Sequence, residues 1–344
     1  MAEELETASD LMYVAAEKSI RVLAYSEAIS LLEQAERLRE EVGDEPGLES
    51  VRKLLADVYG LAGYAKQSAD MYQSLLLNEK DTAQRFKYAK NAAYNLMTSG
   101  RVEEGTEFLE IAAQYGGVPL TSSRFTCLLG ILANRVGYMI GRKGPAKEDN
   151  RDYEVSVVLA DGIFLMDPLR SAYFQSRAVL LSLRHGTPET YFQSRCEEIL
   201  NLSCDNDIFR KLAARMLPQL KAEAESSGDP AFMAEYHKAI SNYYFFTQQF
   251  DKVFKPNDLC LQFYLENRPG SVWHITALWS IRFWALKLSG DFRLMSEQLR
   301  VPLRRAREHG DLNAIRSLAE AKCCLLYTSP SPRDATLSRM PSSA

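Results

Sequence analysis

The sequence predicts an all-α chain of stacked helical hairpins, a solenoid, followed by a short structureless end. Three observations predict it. Small and apolar residues recur at the same internal offsets in three successive segments before residue 115. Beyond them, helix stops fall at Gly186, Gly228, Gly270, Gly290 and Gly310, and no alternating strand pattern with hairpin turns competes. The helical spacing of apolar residues ends near Cys324, after which Ser, Pro, Thr and Arg follow without a period.

The first segment carries Ala16, Ala28, Leu32 and Ala35, the second Ala56, Ser68, Tyr72 and Leu75, and the third Ala93, Gly105, Leu109 and Ala112. The offsets 12, 4 and 3 are common to all three, which is the tetratricopeptide pattern of paired helices. Its cause is steric. Small residues sit where two helices approach closely, and a Leu or Tyr fills the groove beside them. Gly63 and the Ser99-Gly100 pair supply turns between helices. One hairpin cannot bury its apolar face alone, so residues 1–115 are expected to stack as repeats around a shared core.

Residues 116–150 read as a link. "GGVPLTSSR" is rich in turn residues, "FTCLLGILANRVGYMI" reads as a buried helix, and "GRKGPAKEDNRD" as a charged loop broken by Gly and Pro. From 151 to 323 further helical hairpins are expected. Within them Tyr243, Tyr244, Phe245 and Phe246 stand in a row, expected to be buried between neighbouring helices or, in part, to form a partner groove.

Composition narrows the function classes. A net charge of −4 over 344 residues gives no bulk attraction to nucleic acid or anionic lipid. The acidic start "MAEELETASD" lacks the apolar core of a signal peptide, and the most apolar stretch is interrupted by Asn134 and Arg135, so a cytoplasmic chain with no membrane span is expected. Cys127, Cys196, Cys204 and Cys260 have neither metal nor redox spacing and are expected to be buried, reduced thiols.

No motif for chemistry emerges. The phosphate-cradling loop, the kinase catalytic and metal-binding tripeptides, the serine nucleophile elbow and the paired-histidine zinc motif are all missing. His185, His237, His274 and His309 are far apart and read as helix-end or surface residues, and "RRAREHGD" reads as a solvated, charged face. No catalytic, cofactor-binding or metal-binding residue is expected.

A set of ordered phrases carries a resemblance. "LAYSEAISLLEQAERL", "SGRVEEGTEFLEIAAQYGGVPL", "DGIFLMDPLRSAYFQSRAVLLSLRHGTP", "ENRPGSVWHITALW" and "LRVPLRRAREHGD" together resemble the C-terminal helical region of bacterial proteins that join a serine/threonine kinase domain to a predicted signalling ATPase. The matching positions are Asp167, Phe174, Gln175, Arg177, Arg184, Gly186, Trp273, Gly310 and Asp311, read as structural, while Tyr173 and Pro269 depart from the family's usual residues. The resemblance implies that kinase and ATPase segments lie upstream of Met1, so neither activity is expected of this polypeptide.

The end of the chain carries a resemblance of another kind. Back-translated in one frame, Cys324–Asp334 and Ser338–Ala344 look like the invariant halves of a transposase-type sequencing adapter, with Ala335, Thr336 and Leu337 where its index would fall. Residues 324–344 are therefore expected to be non-native, and the natural frame to be cut near residue 323.

Function is left between a non-catalytic scaffold for protein partners or adjacent domains, a sensory domain with a small-molecule pocket between the 150–190 helices and the 236–250 aromatics, and the helical arm of a bacterial transcription activator. A scaffold requires an extended polar groove, a sensor one enclosed apolar pocket with a few convergent polar groups, and an enzyme perturbed titratable groups in a cleft.

Overall fold

A computed structural model describes residues 2–328, apart from 119, 121, 122, 142, 143, 145–149, 165 and 205. The described residues form α1 (Ala2–Arg21), α2 (Tyr25–Val42), α3 (Glu45–Ala62), α4 (Ala65–Asn78), α5 (Thr82–Thr98), α6 (Val102–Gly116), α7 (Arg124–Ile140) and α8 (Arg151–Gly162). The chain continues through α9 (Pro168–His185), α10 (Pro188–Cys204), α11 (Asp207–Ser227), α12 (Pro230–Phe246), α13 (Phe250–Asn267), α14 (Val272–Leu288), α15 (Phe292–Glu308) and α16 (Leu312–Thr328). Among the described residues there is no strand, and no helix is long and apolar enough to cross a membrane.

The helix boundaries follow capping chemistry. Asp44, Asp81, Asp167 and Asp291 each accept a hydrogen bond from a backbone N–H in the first turn of the helix they precede, satisfying a donor that has no partner within the helix. Neighbours in sequence pack on one another through α1–α6, and the three sets of repeat positions, from Ala16 to Ala112, are all buried in those contacts. Ser68 shows the closeness of approach: its hydroxyl donates to the Ala56 carbonyl at 2.8 Å. Buried side chains form a string of clusters along the stack, from Leu32 and Leu55 through Leu96 and Phe174 to Phe192, Tyr264 and Phe283.

The stack curves until its later helices meet its earlier ones. Leu312 and Asn313 donate their backbone N–H groups to the Ser99 carbonyl at 2.9 and 3.2 Å, so the start of α16 completes hydrogen bonds left open at the end of α5. His309 lies against Tyr64, with ring centroids 4.9 Å apart. Gly270 is pressed onto α3 so closely that a Cβ there would lie 2.1 Å from the Leu61 carbonyl oxygen.

Several expectations are corrected. The segment read as a buried helix, α7, buries Cys127, Ile131, Arg135 and Tyr138 but leaves Phe125, Leu128, Leu129, Leu132, Val136, Met139 and Ile140 between 53 and 70% exposed. The reason is that α7 packs on α9 along one side, where Gly130 and Gly137 admit Tyr173 and Leu180. Cys204, at the end of α10, is exposed, whereas Cys127, Cys196 and Cys260 are buried thiols. "RRAREHGD" is not a solvated face throughout, because Arg305 donates to the Pro269 carbonyl at 3.0 Å and Asp311 is buried as the acceptor for the Ala314 N–H. Helix α16 continues through Thr328, past the residue where a structureless tail was expected to start. The remainder of that tail, 329–344, and most of the charged loop 141–152 lie outside the described residues.

Candidate functional site

The curvature frames a partly open cavity of about 350 Å³, within the range of small-molecule sites. Helix α8 and the turn after it supply Asp161 and Phe164, α9 supplies Gln175, and α10 supplies Glu197 and Asn201. Opposite them, α12 contributes Lys238, Asn242 and Phe246, α14 contributes Trp273, His274, Ile281 and Trp284, and α16 contributes Arg316 and Glu320. The walls therefore include both segments named from the sequence, 150–190 and 236–250, together with three helices that were not.

The polar side of the cavity is a buried ionic cluster. Lys238, only 5% exposed, lies 2.5 Å from a Glu197 oxygen and 2.6 Å from a Glu235 oxygen. Glu235 also accepts a hydrogen bond from the Tyr264 hydroxyl and lies 3.8 Å from Arg268. Burial alone would neutralise Lys238, but the two glutamates override it and hold the ammonium charged. The same pairing keeps Glu235 ionised despite its burial.

Asp161 is in the opposite position. Burial first, and then the negative charge of Glu197, push its carboxyl up to about 8, against the opposing pull of Lys238 and a hydrogen bond from the Trp273 indole. His274, whose Nδ1 is 3.8 Å from Glu197, is pushed down to about 4 by burial and by Lys238, so its imidazole is neutral. The cavity thus holds one carboxyl that keeps its proton at neutral pH.

Of the family-phrase residues, two reach the cavity: Gln175, which donates to the Ser194 carbonyl at 3.0 Å, and Trp273. Asp311 is close by, buried and accepting from Thr276 at 3.5 Å, its carboxyl raised to about 6 chiefly by burial. The others are structural and dispersed. Asp167 caps α9, Phe174 is in the core, Arg177 pairs with Asp152 at 3.1 Å, Arg184 is exposed, Gly186 ends α9, and Gly310 turns between α15 and α16 at φ 65°.

Sequence reasoning missed Asp161, Glu197, Glu235 and Lys238. Two signals were present: Lys238 and Glu235 lie in the flanking "AEYHKA" phrase on a helix rich in aromatics, and Asp161 stands among apolar residues in "VVLADGIF". His274 is a helix-end residue, in the first turn of α14, but it faces the cavity, and the aromatic row corrects the buried reading, since Tyr243 to Phe246 are all half-buried and Phe246 faces the cavity. Among the described residues no three His, Cys, Asp or Glu side chains are arranged to hold a metal ion. No protein-family model matches the chain, and no curated protein matches it.

Proposed function

We propose that this chain is a ligand-responsive helical-repeat module, a tetratricopeptide-like solenoid that binds a small molecule in its central cavity and presents the surrounding hairpins to protein partners. The observation that carries the reading is that one cavity is walled by α8, α9, α10, α12, α14 and α16, so an occupant touches elements far apart in sequence at once. Binding free energy placed there tightens the whole curve of the stack, and a partner sensitive to that curvature reads occupancy. The sequence resemblance supports a signalling setting, with kinase and ATPase domains as adjacent partners. The buried thiols Cys127, Cys196 and Cys260 suit the cytoplasm.

A small-molecule library screened by thermal shift tests this reading. A ligand of the cavity raises Tm in proportion to the logarithm of its concentration, and substitution of Trp284 by Ala removes the shift. Hits that survive that substitution bind elsewhere and count against it. A second reading, general-acid chemistry, is favoured by Asp161, whose carboxyl retains a proton at neutral pH. Turnover of any hit, lost in Asp161→Asn, is its mark.

A further inference from the structure

We infer that the cavity selects an organic cation, with an ammonium group seated at Asp161 and Glu197 and an apolar body lying against Trp273, Trp284, Phe164 and Phe246. This rests on the cavity being a ligand site and adds the chemical class of the ligand. Charge counting comes first. Among the described residues, the carboxyls of Asp161, Glu197 and Glu235 share two lasting positive charges, the buried Lys238 ammonium and the partly exposed Arg268 guanidinium. His274 is neutral, and Arg316 and Glu320 at the rim offset each other at 3.6 Å across one helical turn. Counted as carboxylates, the three exceed the two cations by one; the proton on Asp161 covers that surplus, and an anionic ligand would find no unmatched positive charge in the cluster.

The aromatic walls favour the same class. Four rings line one cavity, and ring faces attract a cation, most strongly where it is desolvated. Asn242, a residue only 8% exposed, also faces the cavity and adds a polar side chain beside the rings. Its amide can accept from a ligand N–H or donate to a ligand oxygen, so it orients an occupant without choosing its charge. A metal ion does not meet these requirements, because the acidic groups do not converge as a ligand set and most of the wall is apolar.

An arriving ammonium takes over the role that the proton plays on Asp161. The groups facing this carboxyl are Glu197 on α10, Glu235 and Lys238 on α12, Trp273 and His274 on α14, Tyr94 on α5 and Tyr153 on α8, and both tyrosines stay protonated because burial raises them. Below about pH 8, binding therefore expels the Asp161 proton to solvent. Apparent affinity climbs about tenfold per pH unit on approaching that value and levels off above it.

The test uses the full chain with three probes of one shape: phenethylamine, 2-phenylethanol and phenylacetate. Binding is followed by tryptophan emission, which reports on α14 alone because Trp273, Trp279 and Trp284 are the chain's three tryptophans, and by calorimetry at pH 6.5 in two buffers of different ionisation enthalpy. Expected are at least about tenfold tighter binding of the amine than of the alcohol, the weakest binding for the acid, and close to one proton released per amine bound. Asp161→Asn is expected to abolish both the preference for the amine over the alcohol and the proton release. The proton count on the unaltered protein decides the matter if that variant fails to fold. Equal or tighter binding of the alcohol or the acid overturns the cation inference and leaves the ligand reading standing, as does binding of the neutral dye N-phenyl-1-naphthylamine when the amine fails. If neither the probes nor the dye perturb α14, both readings fall.

Discussion

The side-chain amide of Asn313 donates to the carbonyl oxygen of Thr98 at 2.8 Å, joining residues 215 positions apart. It reaches one of the last carbonyls of α5, which has no acceptor role left within its own helix. Asn313→Ala removes this bond and the longer one to Met97 at 3.4 Å. The expected loss is about 1–2 kcal/mol in a denaturant titration. Asn313→Gln, with a longer reach, is expected to recover part of it.

Gly270→Ala is expected to be more damaging. Its new methyl would fall 2.1 Å from the Leu61 oxygen and 2.6 Å from the Leu61 Cα, both backbone atoms that cannot swing aside. The loop between α13 and α14 must then lift off α3. A loss of roughly 2–4 kcal/mol is expected, with a fall in Tm relative to the wild type.

Asp161 and His274 impose opposite pH dependences. Asp161 keeps a proton when folded that it loses when unfolded, so between about pH 4 and 8 its contribution to stability falls as pH rises, and is flat above. His274 is held deprotonated when folded, so its contribution is present above the ordinary histidine range and is lost as pH falls toward about 4. From about pH 4 to 6.5 the two slopes oppose each other. Asp161→Asn is expected to raise Tm by roughly 2–4 °C at pH 8 and by less at pH 5. His274→Gln is expected to remove the acid-side loss, and melting curves at pH 5, 6.5 and 8 check both.

Arg135 and Glu198 form a buried pair at 2.9 Å beneath α7, with the guanidinium over the Phe209 ring and the Tyr138 hydroxyl also on Glu198. Glu198→Ala leaves the arginine charge without this counterion, for an expected cost of roughly 3–5 kcal/mol. Replacing both partners by Met and Leu is expected to recover most of that loss in the same urea titration.

Much of the fold was legible because it rests on local signals. Periodic small residues, helix-capping aspartates and punctuating glycines act over one or two turns, and a single sequence displays them. What was not legible depends on curvature. Whether α7 is covered depends on which helices pass beside it, and the sequence shows only that its residues are apolar. Asp161, Glu197 and Lys238 are separated by 36 and 41 positions and become a cluster only once the stack has bent. The local hints that charge lay inside were Lys238 and Glu235 on a helix rich in aromatics and Asp161 in an apolar run.

The contact between Ser99 and the α15–α16 turn changes how such a stack should come apart. A linear array held by neighbours alone can peel from either tip, and its protection against hydrogen exchange declines toward both. Here the span from α5 to α16 is tied into a circuit, so opening one junction leaves every hairpin attached by the other route. Amides of α5 and α16 should then exchange as slowly as those of α9, and unfolding should be more nearly all-or-none than in an open array. The counterpart is kinetic: a closing contact across more than two hundred positions pays its loop entropy last and sets the pace of refolding.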